Sequence, residues 1–208
     1  MATPPRSGST WLFNAARLFL SEDAGRLWSG WVDDFPDGGL DGRFDTLLVK
    51  LHAPDQAWLE RGQIVLTCHR DLRDVAASYS AMSWAESEYD IRVSASFARN
   101  CHEFWSPHAA LDLRYERIVV DPEEALGAVR QAVGLPTAVE ETRRVAAELA
   151  SMAERSRRGE SVPKGSLLHP GHVTDGRSGG WTERLPAGLA EDITRDNLEW
   201  LRAHQYEG

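Results

Sequence analysis

Thr3-Pro4-Pro5-Arg6-Ser7-Gly8-Ser9-Thr10-Trp11-Leu12 sets a proline pair, an arginine and a single glycine directly before a helical pattern that runs to about Ser21. A glycine lets the backbone approach an anion closely, and the helix start that follows offers unbonded N–H groups and the positive end of its dipole. Ser9 and Thr10 add hydroxyls, and Arg6 adds a permanent positive charge. The same letters also suit an ordinary Ser/Thr N-cap after a Pro-rich turn. Set beside the nucleotide-triphosphate loop G-x-x-x-x-G-K-S/T, Gly8 and Thr10 fit, whereas Thr3 stands for the first glycine and Ser9 for the lysine. The cation has moved to Arg6, two residues before the glycine.

Outward from this loop, apolar runs of strand length alternate with helical patterns. Thr46–Lys50 and Gln63–Cys68 read as strands, and 111–115 as a third. A Gly/Asp-rich stretch, 25–43, reads as loop. Asp71 caps a helix to about Met82, and Val93, Phe97, Cys101, Phe104 and Trp105 share one face of a helix over 92–106. Asp121, Pro122 and Glu124 form a strong helix start, and Gly134 ends that helix. Thr137 with Glu140 opens another, carrying Val145, Leu149 and Met152, and Leu189, Ile193, Trp200 and Leu201 mark a final one. Residues 155–180, rich in Arg, Gly, Ser and His, read as a mobile loop or lid. The alternation predicts one α/β domain over 1–208: a P-loop-like parallel β-sheet flanked by helices in three layers, with ligands at the carboxyl ends of the strands.

The chain has 208 residues and a formal charge of −9, which argues against a general nucleic-acid or membrane-surface binder. A polyanionic ligand then requires basic groups gathered locally. Two cysteines, Cys68 and Cys101, make no disulfide framework, and no paired metal-ligand spacing occurs. With neither a targeting segment nor about 20 apolar residues in a row, the expectation is a soluble, cytoplasmic, reduced protein.

Two further motifs follow strands. Arg70, after the strand ending at Cys68 and beside a helix start, forms an anion site in His69-Arg70-Asp71-Leu72-Arg73-Asp74-Val75-Ala76-Ala77-Ser78-Tyr79; a salt bridge from Arg70 or Arg73 to Asp74 is the competing reading. Lys50-Leu51-His52 closes the strand at 46–50, and residues two apart on a strand share a face. A near-neutral imidazole there can take a proton, and a lysine can neutralise developing charge.

Together these motifs resemble the sulfotransferases that use 3′-phosphoadenosine-5′-phosphosulfate (PAPS). Pro-Arg-Ser-Gly-Ser-Thr-Trp is similar to their 5′-phosphosulfate loop, Arg-Asp-x-Arg-Asp-Val-x-x-Ser-Tyr to their 3′-phosphate element, and Lys-x-His-x-Pro, ending at Pro54, to the element of their general base. The resemblance implies that Arg6, Ser7, Gly8, Ser9 and Thr10 cradle the 5′-phosphosulfate, that Trp11 stacks near the adenine, and that Arg70 and Ser78 hold the 3′-phosphate. It implies His52 as base, with Lys50 and Arg6 stabilising the sulfuryl group and the departing phosphate, no metal, and 3′-phosphoadenosine-5′-phosphate (PAP) as product. Leu113-Arg114-Tyr115-Glu116 resembles the strand–helix unit whose tyrosine binds adenine, although Tyr115 equally suits a core, and Ala150-Ser151-Met152 is a thin match to another adenine neighbour.

Gly176-Arg177-Ser178-Gly179-Gly180-Trp181 resembles the family's late Arg-Lys-Gly element, with Gly176 and Arg177 as donor contacts. Here Thr174 and Asp175 stand at the Arg-Lys positions, and Arg177, Arg155, Arg157, Arg158 or Lys164 could substitute. Only three residues precede Pro4, fewer than a strand usually has, so either the central strand is short or the start lies further upstream. A P-loop kinase and a non-catalytic nucleotide-binding module are the rival readings. The acceptor is a small-molecule hydroxyl; composition favours a secondary metabolite by association, and Trp28, Trp31, Trp84, Tyr89 and Trp105 are candidate pocket or core residues.

Overall fold

The structure, a computed structural model, describes residues 1–23, 25–36, 41–173 and 176–207. Four strands form two parallel ladders: β1 (Leu27–Trp31) with β2 (Thr46–Lys50), and β3 (Val65–His69) with β4 (Ala109–Arg114). Residues 1–3 run between the ladders. Ala2 bridges Leu51 in parallel, its N–H donates to the Leu66 carbonyl at 3.0 Å, and the Thr3 N–H donates to the Leu51 carbonyl at 3.2 Å. The spatial order is therefore β1-β2-(1–3)-β3-β4. The chain turns to opposite sides after residues 1–3, which makes the loop at 4–8 the switch point where α/β sheets bind ligands.

Period-two alternation sends the two sides of each strand into different cores. Leu48, Leu66, Cys68 and Leu113 pack with Leu12, Phe13 and Phe19 of α1 (Ser9–Asp23), Leu126 and Val129 of α6 (Pro122–Ala132), and Val145 and Leu149 of α7 (Val139–Arg157). On the other side Leu51 and Val65 meet Trp105 at the end of α4 (Glu88–Trp105). Beyond it α3 (Leu72–Ala81) and α4 share a core with α8 (Trp181–Arg184), α9 (Ala187–Asp196) and α10 (Leu198–Ala203) through Leu72, Val75, Ala98, Leu185, Ile193 and Leu201. Helices thus cover both faces of the parallel β-layer, as expected. Two short helices, α2 (Gln56–Arg61) and α5 (Tyr115–Val120), complete the fold.

Several local expectations change. The stretch read as loop over 25–43 holds β1 and a 3-10 turn at Val32–Asp34, while 37–40 lie outside the described residues. The helix expected from 92 starts at Glu88, because Ser87 and Asp90 close a capping box there. Of the expected core face, Cys101 and Trp105 are buried, but Val93 and Phe97 are 45% and 38% exposed, and Ser94, Ala95 and Ala98 are buried in their place. Thr137 caps nothing: the cap of α7 is Ala138, without a side-chain hydrogen bond. The segment read as loop from 155 is helical through Arg157. Tyr115, expected at a strand end, begins α5. Asp71 and Asp121 do cap α3 and α6 through the N–H groups of Arg73 and Glu124. No helix among the described residues is long and apolar enough to cross a membrane.

Candidate active site

The loop before α1 is held by its own polar atoms. Arg6 and Gly8 both take left-handed φ values, 61° and 95°. A Cβ on Gly8 would lie 2.9 Å from Cδ2 of Tyr115, so the position admits glycine for space as well as conformation. The Ser7 hydroxyl donates to the Pro4 carbonyl at 2.6 Å, which closes the turn directly before α1.

Three cations gather here in a chain of net charge −9. Lys50, only 3% exposed at the end of β2, donates from Nζ to Thr10 Oγ1 at 2.8 Å. Burial lowers its pKa to about 8, with a further push from Arg6. Arg6 donates from Nε to Ser78 Oγ at 2.8 Å and from Nη2 to the His172 carbonyl at 3.1 Å; burial, then the charge of Arg70, depresses its pKa. Arg70, at the end of β3, donates to the Arg177 carbonyl at 2.6 Å and lies 4.2 Å over the Tyr115 ring. Asp74 is 3.7 Å away, so the Arg70–Asp74 pairing also exists. Asp74 is largely engaged elsewhere, accepting the N–H groups of Gly179 at 2.7 Å and Trp181 at 2.9 Å. Nε of Arg70 is buried and has no hydrogen-bond partner among the described residues. An unmet charged donor of this kind costs ~1–3 kcal/mol or more, and an arriving phosphate oxygen would remove that cost.

His52 stands beside the cations. Its Nδ1 lies 2.6 Å from the Thr3 carbonyl, which can only accept, so Nδ1 carries the proton and Nε2 holds the lone pair. Burial and then Lys50 lower the pKa of His52 to about 4, against the opposing pull of the Thr3 carbonyl, so the ring is neutral at pH 7. His52 lines a cleft of about 820 Å³ together with Trp31, Trp58, Tyr79, Trp84 and Phe97. Cys68, next to Ser7, is no nucleophile, because burial pushes its thiol up to about 12.

The structure thus brings Arg6, Ser7, Gly8, Ser9, Thr10, Lys50, His52, Arg70, Ser78 and Tyr115 to one end of the β-layer. The Tyr115 hydroxyl donates to the Gly176 carbonyl at 3.0 Å, which ties the late segment to the same place. Arg177 contributes its carbonyl, while its guanidinium pairs with Glu183 at 3.1 Å. Thr174 and Asp175 lie outside the described residues. Trp11 is half-buried against the core of α1, and Met152 is simply packed. Of the candidate pocket aromatics, Trp31 and Trp84 line the cleft, Trp105 is core, and Tyr89 is 74% exposed.

Two features were not legible beforehand. His172 reaches the first turn of α1, with Nε2 3.4 Å from Thr10 Oγ1, and burial followed by Arg6 and Lys50 lowers its pKa to about 3. Away from this site, Asp112 joins His69 and His102 at 2.9 Å each, with their ligand-capable atoms within 4.8 Å of one another. Trp200 donates to His102 Nδ1 at 3.3 Å, which makes Nε2 the protonated nitrogen facing Asp112. That proton sits where a metal would have to bind.

No protein-family model matches the sequence, and no curated protein matches it. Solved structures do. A retinol dehydratase structure with androsterone and the inactive cofactor PAP superposes with a TM-score of 0.66 at 18% identity, covering 95% of this chain and 79% of that one. A mouse sulfotransferase (SULT7A1) with PAP gives a TM-score of 0.69 at 12% identity over 97% and 82% of the two chains. The chain has the sulfotransferase fold. A second retinol dehydratase structure, with retinol and PAP, agrees at a TM-score of 0.66 and 17% identity over 95% of this chain and 80% of that one. In this sulfotransferase fold, the loop at 4–8 and the ends of β2 and β3 converge at the switch point of the layer.

Proposed function

We propose that the protein is a PAPS-dependent sulfotransferase that sulfates a hydroxyl of a small molecule, such as a secondary metabolite, in a reducing, cytoplasmic setting. The observation that carries this is Nε of Arg70, without a hydrogen-bond partner among the described residues, buried beside Arg6 and Lys50 at a helix N-terminus and near an imidazole whose Nε2 holds the lone pair. PAP in the neighbouring structures supports the same reading. The donor groups present fit an adenylyl ligand phosphorylated at both ends. Ser7, Gly8, Ser9, Thr10 and Arg6 would hold its 5′ end, Arg70 and Ser78 its 3′-phosphate, and Tyr115, Trp11, Gly176 and the Arg177 backbone its remaining contacts.

PAPS, when bound, supplies an activated sulfuryl group whose S–O bond to phosphate breaks as the acceptor oxygen bonds to sulfur, releasing PAP. The chain's own part is positioning and electrostatics. His52 takes the acceptor proton at Nε2, with Nδ1 fixed by Thr3. Lys50 and Arg6 place positive charge where the bridging oxygen becomes anionic. Thr10 orients Lys50 through their 2.8 Å hydrogen bond.

Calorimetry with PAP in a chelator, followed by transfer from sulfur-labelled PAPS into an acceptor library, tests this. Micromolar PAP affinity without magnesium and a labelled organic product are expected. Magnesium-dependent ATP binding in its place would make the protein a kinase. PAP binding with no transfer to any acceptor would leave a nucleotide-binding module.

A further inference from the structure

Beyond sulfuryl transfer as such, the cleft at His52 has a chemistry of its own. Its walls are aromatic: Trp31, Trp58, Tyr79, Trp84 and Phe97. Its volume, about 820 Å³, suits a drug-sized molecule. Two carboxylates, Asp33 and Asp55, also line it; no lysine or arginine is among its lining residues, although Arg6 lies 5.3 Å over the Trp84 ring and Lys50 5.9 Å over the Trp31 ring at the His52 end.

Each carboxylate is fixed by a hydrogen bond from a tryptophan, one from an indole and one from the backbone. Asp33 accepts the Trp31 Nε1–H at 2.8 Å, and Asp55 accepts the Trp58 backbone N–H at 3.0 Å as the N-cap of α2. Neither forms an ion pair with a described residue, although most of the chain's arginines do. Arg61 rests 5.7 Å over the Trp58 ring but does not line the cleft. Trp31 reaches both ends of the arrangement: its Nε1 is on Asp33, and its ring meets the His52 ring edge-on at 4.9 Å. An acceptor oxygen at His52 and a charged group at Asp33 are therefore about one aromatic side chain apart.

Indole faces and unpaired carboxylates both attract cations, and an anionic acceptor would be repelled by the same pair. We propose that the cleft selects acceptors with a flat apolar body, a hydroxyl at one end and an ammonium group at the other, the aralkylamine class. The transfer chemistry rests on the sulfotransferase reading; the ammonium preference rests on the cleft alone.

The test is ligand binding, read through quenching of the cleft tryptophans. Tyramine, N-acetyltyramine and 4-ethylphenol share one phenol and differ in charge. Each is titrated at pH 7.5 into the full chain, with and without saturating PAP. Tyramine should bind roughly tenfold tighter than either neutral analogue, with the gap shrinking in high salt. In the D33N/D55N double variant the gap should close. Asparagine keeps the helix cap and can still accept the Trp31 N–H, so the fold is retained. Equal affinity for all three, binding of none, or a gap that survives the double variant overturns the proposal. Failure of PAP to bind in the same cuvette would instead remove the donor reading, with the amine comparison still legible in its absence.

Discussion

Arg6 donates from Nε to the hydroxyl of Ser78 at 2.8 Å, although 72 residues separate them. One belongs to the loop before α1 and the other to α3, so residues proposed to hold opposite ends of the donor touch one another. Arg6 is also a non-glycine residue with φ of 61°, a conformation that costs about 1 kcal/mol or more and persists only where surroundings enforce it. Ser78 and the His172 carbonyl are two of those surroundings.

Ser78→Ala removes both the partner that sets Arg6 and the hydroxyl proposed to hold the 3′-phosphate. A hydrogen bond to a charged group contributes ~1.5–3 kcal/mol, so PAP affinity should fall by roughly 10- to 100-fold in calorimetry. Thermal stability should change little by comparison. Unchanged affinity would mean that Ser78 does not help to form the nucleotide seat.

His52→Ala tests the base. PAP binding should persist while turnover drops ~10²-fold or more. Because burial lowers the His52 pKa to about 4, the acid limb of kcat/KM should lie below the ordinary 6.5 of histidine. Activity is then retained above that limb and lost as pH falls through it. A limb at 6.5 or above, or near-wild-type turnover in the variant, removes His52 from the role.

The proposed anion-binding segments could be picked out because each is local in sequence: a loop and the helix start after it, or a strand end and the helix start after it. Arg6 to Thr10 and Arg70 to Ser78 need few distant residues to make chemical sense. The cleft is different. Phe97 stands on an apolar helical stripe, yet it faces the cleft and stays 38% exposed, and periodicity alone does not say what a stripe faces. Strand β1 was hidden because Ser29 and Gly30 break its apolar alternation and Gly/Asp-rich chain follows it. His172 carries no local signal at all. It reaches Thr10 with the help of Arg6, Ser156 and Asn14, which pin the segment around it: Arg6 Nη2 donates to the His172 carbonyl, Ser156 Oγ to the His169 carbonyl at 2.7 Å, and Asn14 Nδ2 to the Ser166 carbonyl at 2.7 Å.

Gly8→Ala separates backbone demand from chemistry. The new methyl would press on Tyr115 at 2.9 Å from a φ of 95°. A cost of ~1–3 kcal/mol is expected, seen as a lower Tm, together with loss of PAP affinity as the loop shifts. A variant with wild-type Tm and affinity would show that the loop does not need its observed path.

Acid stability tests the electrostatics independently of any ligand. Burial, followed by the nearby cations, lowers the pKa of His52 to about 4 and that of His172 to about 3, against 6.5 for a free histidine. Between pH 6.5 and 4 the unfolded chain therefore binds protons that the folded chain refuses, so stability falls as pH drops through that window. For His52 alone the difference is on the order of 3 kcal/mol once the window is crossed. Asp112, held well below the usual carboxylate range by His102 and His69, adds a loss only at lower pH. Chemical denaturation at pH 7 and pH 4.5 should show the loss, and His52→Gln or His172→Gln should each flatten it, because glutamine cannot take up the proton. A wild-type profile that is level across the window, or unaltered by both substitutions, would mean that neither imidazole is buried uncharged among Arg6 and Lys50.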